Sequence, residues 1–244
     1  MTSEREHKTA ATTAGVLYII GTVAGVLSKF LVQTPVRDAD DPLAYAAEHP
    51  GLVVTGALLV LVMGLALAFV PVVLFPVLRR VNEVLAIGYL TLRGAVEATC
   101  YVISAIALLL LVPVSTIVSA GPGTASPAGV RVGILLTDSD ASSAVLSVVF
   151  CLGGLMFYAL LFRSRIVPRW ISVWGLAAIP VYLGAFLLAM YAVIGYSSAA
   201  LNLMVLPLAV QEMVLGIWMI ARGFRPAAGA TASDRAGGIP VGVS

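Results

Sequence analysis

The run LVVTGALLVLVMGLALAFVPVVLFPVL, from Leu52 to Leu78, contains no charged residue. A helix needs ~20 predominantly apolar residues to cross the hydrocarbon core of a bilayer, and inside lipid its backbone groups must bond to one another. The run is therefore expected to be a transmembrane helix. Five more stretches of the same character flank it, at about Ala10 to Val32, Val84 to Ser119, Ala141 to Phe162, Trp170 to Gly195 and Ala200 to Ala221. The third of the six is long enough to tilt or to project beyond the membrane. With 60% hydrophobic and 11% charged residues and a mean hydropathy of +1.05, the composition excludes a soluble domain. The predicted fold class is an all-α integral membrane bundle of six transmembrane helices.

Short loops rich in Lys and Arg stay in the cytoplasm. Placing the N-terminus inside puts Arg5, Lys8, Arg79, Arg80, Arg163, Arg165, Arg169, Arg222, Arg225 and Arg235 on the cytoplasmic side, and leaves Arg37 and Arg131 outside. Asp38, Asp40, Asp41, Glu48, Asp138 and Asp140 collect in the outer segments. Both termini are accordingly expected in the cytoplasm, with a tail at 1–9, a membrane domain at 10–225 and a disordered tail at 226–244. The first span is expected to be retained rather than cleaved, because its apolar run exceeds a signal-peptide core, no A-x-A site follows it, and Lys29 can snorkel outward. The net charge of +2 gives no reason to expect a nucleic-acid partner; the basic residues read as topology determinants beside anionic lipids. Short surface helices are expected in the outer segments, one using Leu43, Ala46 and Ala47 and one around Val130 to Leu136.

Against this background the charges inside the spans stand out. Arg93 and Glu97 lie one turn apart in the third span, and Glu212 lies in the sixth. Each costs roughly 2.5–3.5 kcal/mol at the centre of a span unless it finds a partner. At 1.5 Å per residue Arg93 is roughly 14 Å from the cytoplasmic end of its helix, Glu97 roughly 20 Å and Glu212 roughly 15 Å from the end of its own. A polar cluster of Arg93, Glu97, Gln211 and Glu212 is thus expected if the third and sixth helices touch. Tyr89, Arg93, Glu97, Cys100 and Ser104 recur at four, four, three and four residues, so Tyr89, Cys100 and Ser104 are candidate neighbours on the same face. Two carboxylates around one guanidinium leave excess negative charge in a low dielectric, so one glutamate is expected to hold a proton.

Three runs carry a resemblance: GYLTLRGAVEA at Gly88 to Ala98, RSRIVPRWISVWG at Arg163 to Gly175, and PLAVQEMVLGIWMIARGF at Pro207 to Phe224, with AGVLYIIGTVAG at Ala14 to Gly25. Together they resemble the bacterial multi-pass membrane family catalogued as a domain of unknown function, family 4386. The resemblance implies a protein of the bacterial cytoplasmic (inner) membrane in which Arg93, Glu97 and Glu212 match recurring positions. It implies no activity, substrate or cofactor.

Motifs for chemistry are sparse. His7 lies in the N-terminal tail and His49 in an outer loop, so neither forms a Ser-His pair, a metal site or a haem ligand inside the membrane. The aspartates avoid the spans, and no phosphate-binding or dinucleotide fingerprint is present. Cys100 and Cys151 read as reduced packing residues. Gly21 and Gly25 form a G-x3-G element that fits close packing within one bundle better than dimerisation. Trp170, Trp174 and Trp218 read as an interfacial belt. Pro71, Pro76, Pro113, Pro180 and Pro207 can kink the spans around a cavity. No catalytic residue, cofactor or metal is expected. The leading functional expectation is a non-enzymatic membrane protein whose Arg-Glu cluster ties helices together and whose partners are the lipid bilayer and an unidentified membrane protein or small-molecule ligand. A small-solute or proton-linked carrier is second, and a membrane-embedded enzyme third.

Overall fold

The computed structural model describes residues 2–119, 140–196 and 198–224, with side chains over 7–117, 144–196 and 198–224. Among them six helices are long and apolar enough to cross a membrane: His7–Asp38, Pro50–Leu78, Glu83–Ile117, Ala144–Ser164, Arg169–Met190 and Ala199–Arg222. They are called the first to sixth helices below. No strand occurs among the described residues. The expected segment around Val130 to Leu136 and the tail at 226–244 lie outside them. The first helix already begins at Thr2, so residues 2–9 form its opening turns.

Local chemistry sets the ends. The Asn82 side chain accepts from the Leu85 amide at 2.9 Å at the start of the third helix, and Ser198 accepts from the Leu201 amide at 3.2 Å at the start of the sixth. Both are N-caps that satisfy amides the helix cannot. The sixth helix stops at Gly223, whose φ of 65° suits a residue without a side chain. The fifth stops at Met190, short of the expected Gly195. Val193 and Ile194 continue the apolar pattern, but Ala192 turns the chain with φ 55°, and periodicity does not register such a turn.

The short helix expected from Leu43, Ala46 and Ala47 is present as Pro42–Glu48, capped by Asp41, with Leu43 and Ala46 buried. Each spanning helix packs chiefly on its neighbours in sequence, and the sixth returns to the first, so the bundle closes as a ring. Closure depends on Gly15. A Cβ on Gly15 would lie 2.6 Å from the Gly216 carbonyl oxygen, so only glycine lets the first and sixth backbones approach this closely. Gly21 and Gly25 face Leu67 and Met63 of the second helix, which places the G-x3-G element inside the bundle.

The apolar core is undivided at the arginine-rich end, where Ala11, Leu74, Leu161, Ile171 and Met219 meet with residues from the third helix. Toward the other end it forks. One branch joins the first three helices and the short Pro42–Glu48 helix through Val32, Leu43, Val53 and Leu108. The other joins the fifth and sixth through Ala185, Ala189 and Leu201.

A buried arginine between two glutamates

The third helix is not uniformly α-helical. Leu90–Val96 is a π-helical segment, and Arg93 sits within it. Such insertions are uncommon and frequently mark functional positions. Tyr89, Arg93 and Glu97 are all buried, as the four-residue spacing predicts, with Arg93 at 3% exposure.

Arg93 reaches three helices. Its Nε lies 3.1 Å from Glu97 Oε2 on its own helix, and its Nη2 lies 3.5 Å from Glu212 Oε1 on the sixth. Its guanidinium carbon stands 4.4 Å from the centre of the Phe150 ring on the fourth helix, a cation–π contact in a desolvated place. The stem of the arginine passes Gly153, where a Cβ would come within 2.7 Å of Arg93 Cγ. The Tyr101 hydroxyl donates to Glu97 Oε1 at 3.1 Å. Arg93 Nη1 has no hydrogen-bond partner among the described residues. Glu212 keeps 17% side-chain exposure.

The condition for the cluster, contact between the third and sixth helices, is met by side chains, since Arg93 reaches Glu212, but the two helices are not a principal packing pair. The long arginine side chain spans the interval instead. Gln211 forms a second node. It accepts from the Tyr158 hydroxyl at 2.6 Å and donates to the Ile171 carbonyl at 3.0 Å, joining the fourth, fifth and sixth helices. Successive residues on a helix point about 100° apart, so Gln211 and Glu212 serve different neighbours. Ser104 donates back to the Cys100 carbonyl at 3.0 Å, so the structure joins neither residue to Arg93 by a hydrogen bond. Cys151 is buried, with its sulfur 3.9 Å from the Ile179 carbonyl oxygen.

Tyr101, Phe150 and Gly153 were missed by sequence reasoning. Tyr101 had a usable signal, since it follows Glu97 by four residues and shares its face. Phe150 and Gly153 had none, because their role depends on how the third and fourth helices pair. Among the described residues no group of three His, Cys, Asp or Glu side chains could hold a metal. His49 stacks on Tyr45 with ring centres 4.4 Å apart.

Six apolar helices closed into a ring around an ion cluster define a multi-pass α-helical membrane protein. A family model described as a domain of unknown function, DUF4386, matches residues 13–223, and the chain belongs to that family. The match spans Arg93, Glu97, Gln211 and Glu212. No curated protein and no solved structure matches the chain.

Proposed function

We propose that this protein is a non-catalytic component of the bacterial cytoplasmic membrane, with both termini in the cytoplasm, working through lipids or a second membrane protein. In this reading Arg93 is a clamp for the bundle. The observation that carries it is the near-complete burial of Arg93, at 3% exposure, between groups supplied by its own helix and two others. Three charges enclosed in this way suit a device that fixes helix packing.

One observation favours a second reading, that of a small-solute or proton-linked carrier using Glu97 and Glu212. Glu212 is 17% exposed, and Arg93 Nη1 is unpartnered among the described residues, so the cluster keeps a partly accessible acid and an unused donor. Native mass spectrometry of the wild type and Glu212→Gln in mild detergent separates the two. A clamp gives the same bound species in both and a lower melting temperature in the variant. A small molecule held by the wild type and lost from a fully folded variant would transfer the assignment to the carrier. Tags at both termini, probed from either side of the membrane, test the orientation.

A further inference from the structure

The connection between the fourth and fifth helices, RSRIVPRW from Arg163 to Trp170, carries three arginines on a fixed turn. Ile166 and Val167 are 2% and 1% exposed, so the turn is pinned into the core while Arg163, Arg165 and Arg169 remain exposed. The Arg165 amide donates to the Leu161 carbonyl at 3.1 Å, which ends the fourth helix in the manner usually given to glycine. Its φ is 55°, a left-handed conformation that strains any residue with a Cβ. Glycine would fit better there, yet an arginine occupies the place.

The neighbours of this turn complete a recognisable surface. Arg169 lies with its guanidinium carbon 5.1 Å from the Phe162 ring centre, which draws it toward Arg163, the next residue along. No carboxylate pairs with Arg163, Arg165 or Arg169 among the described residues. The fifth helix begins here with no side-chain cap on its first amides, so its positive end adds to the same field. Trp170 and Trp174 stack beside it with centres 6.2 Å apart, and Trp170 is 52% exposed. Tryptophans of this kind sit at headgroup level.

We propose that this turn is a binding site for the phosphate headgroup of an anionic phospholipid in the adjoining leaflet. The arginines would hold the phosphate, with the uncapped Arg169 and Trp170 amides at the start of the fifth helix beside them, and the tryptophan pair would lie along the glycerol and upper acyl region. Membrane level and the absence of an acidic partner favour a lipid over a soluble anion.

The test uses the full chain in neutral detergent, with phosphatidylglycerol, phosphatidylcholine and inorganic phosphate added separately. Melting temperature and lipid retention by native mass spectrometry are the readouts. Phosphatidylglycerol should stabilise the wild type and phosphatidylcholine should not. Arg165→Gly is the informative variant: relief of strain should raise its melting temperature in detergent alone, while its affinity for phosphatidylglycerol falls about fivefold. Replacing Arg163, Arg165 and Arg169 together by Gln should weaken retention roughly 100-fold. Arg79→Gln with Arg80→Gln, on the neighbouring turn of the same face, should retain the lipid. The proposal is overturned if phosphatidylglycerol gives the wild type no increment, if inorganic phosphate gives the same increment, if Arg165→Gly keeps full affinity, or if the Arg79 and Arg80 pair loses as much as the triple variant.

Discussion

Replacing Arg93 by alanine removes the one cation among the described residues that pairs with the buried Glu97 and the partly buried Glu212, and the size of the effect follows from the geometry. At 3.1 and 3.5 Å and an effective dielectric of 20, each attraction is worth about 5 kcal/mol before desolvation. Desolvation offsets much of this in the intact cluster, yet it is not recovered when the arginine alone is removed. Breaking a buried pair from one side typically costs about 3–5 kcal/mol, and the lost contact with Phe150 adds up to ~2 kcal/mol. For a chain of this length 1 kcal/mol moves a melting temperature by ~2–4 °C. Arg93→Ala should therefore lower the midpoint by on the order of 10 °C, read by intrinsic fluorescence in detergent, with reduced folded yield. A triple variant, Arg93→Met with Glu97→Gln and Glu212→Gln, should recover part of the loss because no charge is left unpaired. An Arg93→Ala protein with wild-type yield and an unshifted midpoint would refute the clamp.

Three further outcomes are expected. Gly153→Ala should destabilise by about 1–3 kcal/mol through collision with the arginine stem, and pairing it with Arg93→Ala should abolish the added cost, as a thermal double-mutant cycle would show. Gly15→Ala should cost a similar ~1–3 kcal/mol, because its Cβ meets a carbonyl that cannot rotate away; unchanged melting would mean that the ring is not closed at this point. Gln211→Leu should leave the Tyr158 hydroxyl without its acceptor and lower stability by about 1–3 kcal/mol, read as a fall in melting temperature; an unshifted midpoint would mean that this node does not hold the three helices together.

The helices were legible because lipid imposes one rule on the entire chain: an uncharged run such as Leu52 to Leu78 has no other stable backbone arrangement. Arg93, Glu97 and Glu212 were legible for the complementary reason, since a charge in such a run has few acceptable surroundings. What the sequence could not disclose was pairing. Gly153 matters because Arg93 passes over it, and Gly15 because Gly216 lies opposite; both are facts about helices distant in sequence. The π-helical turn at Leu90–Val96 was hidden for a different reason, because it leaves the apolar pattern on either side intact.

The split origin of the two carboxylates has a consequence for biosynthesis. Glu97 enters the bilayer on the same helix as Arg93, one turn away, whereas Glu212 follows more than a hundred residues later. A nascent chain that has delivered only its first five helices thus holds its arginine against a single acid, as a locally neutral pair. The second acid arrives with the last helix, the same one that closes the ring at Gly15. Completion of the charge cluster and completion of the barrel of helices are consequently one event, and a chain truncated before that helix lacks both.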